Sequence, residues 1–136
     1  MTIKSDDRNS IVAYRLEKAY ATLNEVKAIA NLGFWTLAAN RLYYAAYYAS
    51  AALLINSGIE VSSHKGAIKM ISLYFVKERK LIREDSTLLA RLFSMRQTGD
   101  YDDLYEWTEK DIIPLIPSVE DYISRVAKLI ENPSAQ

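Results

Sequence analysis

The sequence predicts an all-α fold, an antiparallel four-helix up-and-down bundle with a short fifth helical element. Three observations predict it. Only 4 glycines and 3 prolines punctuate 136 residues, too few for a many-turned β fold. Apolar residues recur at three- and four-residue steps over most of the chain, the period of a helix buried along one face. The polar stretches between these segments are short, so successive helices should lie side by side and run in opposite directions.

Each element has its own signal. Ser10 is a cap for a first helix over about Asn9 to Asn31, in which Val12, Leu16, Ala19, Leu23, Val26 and Ala30 form one stripe and Gly33 supplies the stop. From Phe34 to Ser57 almost no charge follows Arg41 and apolar residues occur on every side, as in a central helix. There Ala38, Ala45, Ala49 and Ala52 keep one side thin for close approach. Tyr43 with Tyr47, and Tyr44 with Tyr48, are spaced to stack one turn apart, and Gly58 ends the helix. A row of tyrosines also suits base stacking, but at helical spacing among alanines it reads first as core and interface.

Ser62 and Ser63 offer caps for a third helix through His64, Ala67, Ile68, Ile71, Tyr74 and Phe75, closing near Arg79-Lys80. Leu81-Ile82 connects it to a fourth helix, capped by Asp85 or Ser86, that runs through Leu88, Leu89, Leu92, Phe93 and Met95 to Arg96 and ends at Gly99. Leu104, Tyr105 and Trp107 should fold back as a short helical turn. Thr108 then caps the last helix, which Pro117 should kink or restart at Ser118, with Asp121 completing a capping pattern. Val119, Tyr122, Ile123, Val126, Leu129 and Ile130 make its apolar stripe.

The length suits one domain spanning 1–136, with residues 1–8 and 132–136 as frayed tails. The absence of cysteine excludes disulfides and thiolate metal sites and fits a cytoplasmic location. Lys plus Arg equals Asp plus Glu at 17 each, so no global positive field gathers nucleic acid and any such site must be local. No signal-peptide core and no apolar run of membrane-spanning purity is present.

The densest polar cluster is Arg91-Leu92-Phe93-Ser94-Met95-Arg96-Gln97-Thr98-Gly99-Asp100-Tyr101-Asp102-Asp103, where an arginine, a phenol and several carboxylates fall close together. Read on its own, it is a solvated helix end with Arg96 placed against the dipole. His64, the sole histidine, sits in the first turn of its helix, where the dipole disfavours its protonated form and leaves a neutral base or hydrogen-bond partner. One imidazole without a second imidazole or a thiolate does not make a metal site.

Three blocks carry a resemblance: Asn40-Arg41-Leu42-Tyr43-Tyr44-Ala45-Ala46-Tyr47-Tyr48-Ala49, then His64-Lys65-Gly66, then Arg96-Gln97-Thr98-Gly99-Asp100-Tyr101. In that order and spacing the chain resembles the small prokaryotic, nucleotidyltransferase-associated branch of the HEPN domain family. The resemblance implies a four- or five-helix bundle that forms a homodimer and is often encoded beside a minimal nucleotidyltransferase as a toxin-antitoxin or phage-defence pair; no cofactor is expected.

Active members of that family resemble metal-independent ribonucleases with an arginine followed, four to six residues on, by a histidine in a two-subunit cleft. Such chemistry needs a base for the 2′-hydroxyl, an acid for the leaving oxygen and a fixed cation for the phosphate, a role that suits arginine. By this resemblance Arg96 matches the motif arginine, Gln97 the polar residue after it, and Tyr101 stands where the histidine is expected. A phenol is a poor base at neutral pH, though it can donate a hydrogen bond.

Family analogy also makes Tyr101, and secondarily Tyr105, candidates for adenylylation by the partner. The sequence therefore leaves three readings. One is a binding module that presents Arg96, with Gln97 and Arg41, to a nucleotide, RNA or partner protein. Another is a ribonuclease toxin using Arg96 with Tyr101 or His64. The last is a structural helical bundle in which Arg41 hydrogen-bonds within the core and Arg96 pairs with Asp100 or Asp103.

Overall fold

A computed structural model of the chain describes residues 5–101 and 106–132. These form α1 (Ser5–Asn31), α2 (Trp35–Asn56), α3 (His64–Ile71), α4 (Arg83–Tyr101), α5 (Glu109–Ile112) and α6 (Leu115–Glu131), and a π turn, Ser72–Val76, continues α3. The fold is all-α, with no strand among the described residues. None of these helices is long and apolar enough to cross a membrane.

Helix α2 is the hub. It packs against α1, α3, α4, α5 and α6, and it can do so because Ala38, Ala45, Ala49 and Ala52 are all fully buried and let neighbouring backbones come close. The expected stripe of α1 is buried at Val12, Ala19, Leu23, Val26 and Ala30, and that of α6 at Val119, Tyr122, Ile123, Val126 and Leu129. Polar pairs lock the core where α2, α4 and α6 meet. The Ser50 hydroxyl bonds the Tyr122 hydroxyl at 2.7 Å, and Arg125 holds the buried Asp85 carboxylate through two nitrogens.

Several boundaries differ from the sequence reading, each for a local reason. Helix α1 begins at Ser5 rather than Asn9, with Asp6 and Asp7 in its first turn where the dipole favours them. Ser10 is therefore not a cap, and its Oγ donates back to the Asp6 carbonyl. In α3 the π turn inserts extra arc, which leaves Phe75 buried but turns Tyr74 outward at 47 % exposure.

Helix α4 starts at Arg83, ahead of the expected caps. Asp85 lies in its first turn and accepts the Ile82 N–H, while Ser86 is bonded to Ser72 through their hydroxyls. Gly99 does not end this helix, which continues to Tyr101. Gly99 instead faces Thr36 and the Trp107 indole, and a β-carbon there would come within 3.4 Å of both.

Trp107 is not helical. Its indole donates to the Met95 carbonyl and its backbone N–H to Thr36 Oγ1, and Leu104 and Tyr105 lie outside the described residues. Thr108 does cap a helix, with Asp111 closing a capping box, but that helix is only four residues long. The break falls at Ile113-Pro114, so Pro117 neither kinks α6 nor restarts it at Ser118. It sits in the first turn, where no N–H is needed, and Ser118 Oγ donates to the Pro114 carbonyl instead of capping.

Candidate functional site

Three helices converge on one aromatic cluster. Helix α2 supplies Tyr43, Tyr44, Tyr47 and Tyr48, α3 supplies His64 from its first residue, and α4 supplies Phe93 and Arg96, three residues apart on one face. The loop between α2 and α3 aims the histidine. Gly58, at φ 73°, turns the chain out of α2, with its N–H on the Ile55 carbonyl and that of Ile59 on the Leu54 carbonyl. Ser63 then starts α3 by accepting the Gly66 N–H on Oγ at 2.9 Å.

The result is a tight contact between residues 21 apart in sequence: the Tyr43 hydroxyl and His64 Nδ1 are 2.6 Å apart. The imidazole also lies flat on Tyr47, with ring centroids 4.1 Å apart and planes 6° from parallel. Tyr43 stacks on Tyr47 and Tyr44 tilts against Tyr48, each pair one turn apart as the spacing predicts. Tyr43 is almost wholly buried, whereas Tyr44, Tyr47, Tyr48 and His64 are half-buried and form a rim.

Arginines cover this rim. The Arg96 guanidinium carbon lies 5.6 Å from the Tyr43 ring centre and 5.3 Å from that of Tyr44, and that of Arg41 lies 5.6 Å from Tyr44, within cation–π range. On the α1 side, Arg15 and Lys18 approach Tyr48 at 6.0 and 5.1 Å.

The electrostatics follow from burial and from Arg96. Burial, and secondarily the Arg96 charge, hold the His64 pKa below its ordinary value, so the ring is neutral at physiological pH. Burial and the neighbouring Tyr47 push the Tyr43 phenol well above the usual range, only partly opposed by Arg96, so it keeps its proton. A protonated phenol facing a neutral imidazole can donate to Nδ1, leaving the ring proton on Nε2, or accept from Nδ1–H and leave Nε2 basic. A cation, a neutral imidazole with a choice of tautomer and half-exposed aromatic faces together suit a phosphate attached to a planar base.

Of the residues singled out in the sequence, Arg96 and His64 are thus brought together around Tyr43, and Arg41 joins them through Tyr44. Arg41 does not hydrogen-bond within the core as the structural alternative required. It reaches Glu25 of α1 at 4.0 Å with its side chain 26 % exposed. Gln97 is exposed beside Arg96. Tyr101 is the last residue of α4, its side chain is outside the description, and Tyr105 and Asp103 lie outside the described residues altogether. The sequence missed Tyr43 and Tyr47 as partners of the histidine. Their spacing marked a helix face, but nothing local announces a ring pairing across a loop.

Among the described residues no group of three or more His, Cys, Asp or Glu side chains is placed to hold a metal ion.

Comparison with known proteins agrees with this architecture. The chain is 32 % identical over 127 residues to a UPF0332 protein of Thermotoga maritima, covering 93 % of this chain and 96 % of that one. It is 28 % identical over 115 residues to a Methanocaldococcus jannaschii protein named "Putative toxin MJ0142", covering 85 % and 78 %. A second protein of that organism, "Putative toxin MJ0605", is 27 % identical over 130 residues, covering 96 % of each. Residues 12–129 match the HEPN domain, and these limits take in all of α2 to α5 and most of α1 and α6. The chain belongs to the HEPN domain family.

Proposed function

We propose that this protein is a toxin-like HEPN module that binds single-stranded RNA, gripping a phosphate with Arg96 while a base lies against the tyrosine rim. The observation that carries this reading is the seating of the Arg96 guanidinium over Tyr43 and Tyr44, beside the neutral His64. An arginine held by aromatic faces is pre-positioned, so less side-chain freedom is lost when it meets an anion. The relatives named as toxins give the context. Association of two copies would bring two such arginines together and create the local positive field that a balanced composition lacks. Pairing with a minimal nucleotidyltransferase belongs to the same reading, with Tyr101 and Tyr105 as the modification candidates.

The test is binding of a fluorescent single-stranded RNA in EDTA, followed by anisotropy. The wild type binds, and Arg96→Ala weakens binding by about tenfold or more, the scale of one lost charge-assisted contact. Equal affinity in the two proteins would overturn the reading. Sedimentation at micromolar concentration tests the paired arrangement, which a monomer would remove.

The Tyr43 to His64 hydrogen bond favours metal-independent cleavage as a second reading. With Nδ1–H donating to Tyr43, His64 Nε2 would take the 2′-hydroxyl proton. The 2′-oxygen would attack phosphorus, Arg96 would hold the non-bridging oxygens, and the bond to the 5′-oxygen would break as water protonates it, to give a 2′,3′-cyclic phosphate and a 5′-hydroxyl. RNA that stays intact in the same EDTA sample excludes this reading and leaves binding in place.

A further inference from the structure

We propose that the groove on the α1 side of Tyr47 is a second nucleotide subsite, which holds the RNA residue next to the one whose phosphate meets Arg96. This rests on the phosphate-binding reading above and extends it from a point contact to a strand path.

The groove has a volume of about 530 Å³, within the range of small-ligand pockets and ample for one nucleotide. Three parts of the chain wall it: α1 through Arg8 and Arg15, α2 through Tyr47, Leu54 and Ile55, and the loop through Ile59 and Val61. That composition is amphipathic in a specific way. The apolar side chains offer surface for a base, and the two arginines, seven residues and so about 10 Å apart along α1, offer anion contacts.

Continuity with the first site comes from shared side chains. Tyr47 borders the groove and also carries His64 on its ring. Lys18 lies three residues beyond Arg15 on α1, and both reach Tyr48, which packs against Tyr44 under Arg96. Cations therefore follow the tyrosine rim from the groove to Arg96, the interleaving that single-strand tracks use. In a chain with no net charge, this is a local concentration of positive groups. Among the described residues Glu60 is the one acidic side chain lining the groove, and it is exposed. At the start of the loop wall, Gly58 and Ile59 are bonded back onto the end of α2.

The experiment compares a nucleoside monophosphate, followed through the His64 ring resonance, with a labelled seven-nucleotide single-stranded RNA, followed by anisotropy across a salt series. Arg8→Gln weakens the oligonucleotide on the order of tenfold and reduces its salt slope by about 0.7, while the monophosphate binds as before; Arg15→Gln, which also removes a cation from the Tyr48 ring, weakens the oligonucleotide as well. Glu60→Gln tightens the oligonucleotide, and Val61→Glu, an exposed substitution that puts a negative charge at the groove, weakens it. Arg96→Ala weakens both ligands.

Oligonucleotide affinity unchanged in Arg8→Gln, Arg15→Gln and Val61→Glu, but lost in Arg96→Ala, overturns the second subsite and leaves the first. Loss of monophosphate binding in Arg8→Gln or Val61→Glu overturns the separation of the two subsites. Oligonucleotide binding that depends on the groove but not on Arg96 overturns the phosphate reading on which the strand path was built. Thermal melts of each variant identify any loss that comes from unfolding.

Discussion

The single histidine makes the site readable at the scale of one residue. His64 is held below its ordinary pKa by burial first and by the Arg96 charge second. Its ring resonance, the only one of its kind in the chain, should therefore titrate below the usual value near 6.5. Arg96→Gln raises that midpoint without restoring it fully, because burial remains. An unchanged midpoint in Arg96→Gln would separate the two groups electrostatically and undo the claim that they form one site. The sign for stability follows from the same shift. A histidine with a depressed folded pKa leaves the unfolded chain binding more protons, so its contribution is intact above about pH 6.5 and is lost as pH falls through the folded value. Phosphate bound at Arg96 would offset the positive charge and move the midpoint upward. Titration with and without a nucleoside monophosphate measures that change directly.

At the scale of the element, α3 exists to aim this histidine, and its start rests on two small residues. Ser63 Oγ accepts the Gly66 N–H, and a β-carbon at Gly66 would lie 2.9 Å from that same oxygen. Ser63→Ala should cost about 1 kcal/mol, the usual value of an N-cap. Gly66→Ala gains about 1 kcal/mol of helix propensity but displaces the cap oxygen, so its net effect in the wild type is near zero. In the Ser63→Ala background the obstacle is gone, and the same substitution should stabilise by about 1 kcal/mol. A denaturant double-mutant cycle reads this coupling, and additive effects would show that the cap and the glycine are independent.

Sequence signals of this local kind were legible throughout the chain. Ser63 and Thr108 as caps, Gly58 as a stop and the stripes of α1 and α6 all follow from contacts within a few residues. The failures lie where tertiary packing outweighs local propensity. Gly99 looks like a helix end, yet it is a helix interior kept thin for Trp107, and the π turn that rotates Tyr74 outward leaves no mark in the periodicity. The site divides in the same way. Arg96 and His64 stood out by residue type, while the Tyr43 and Tyr47 contacts that unite them depend on a loop closing over 21 residues.

The whole molecule depends on one charged pair that no sequence pattern announced. Asp85, 1 % exposed, accepts from the Ile82 N–H at the start of α4 and from two nitrogens of Arg125 on α6. Beside it, Tyr122 of α6 bonds Ser50 of α2, whose hydroxyl also reaches the Ala46 carbonyl. These contacts set the register of α4 against α6 and of α6 against α2. Since α4 carries Arg96 and α2 carries the tyrosines, the register also sets the distance between guanidinium and rings. Removing one partner of a fully buried pair usually costs about 3–5 kcal/mol. Here the Arg125 side chain is 34 % exposed, so water recovers part of that loss, and Asp85→Ala should cost about 2 kcal/mol. Tyr122→Phe leaves Ser50 its carbonyl acceptor and should cost about 1 kcal/mol. If the pair serves only stability, Asp85→Ala will lower the melting temperature and leave the His64 midpoint where it was. If it also sets the register of α4, the His64 midpoint in folded Asp85→Ala will move toward the value found in Arg96→Gln, because Arg96 will have shifted from the rings. The second outcome is expected, since α4 has no other charged tie to α6 among the described residues.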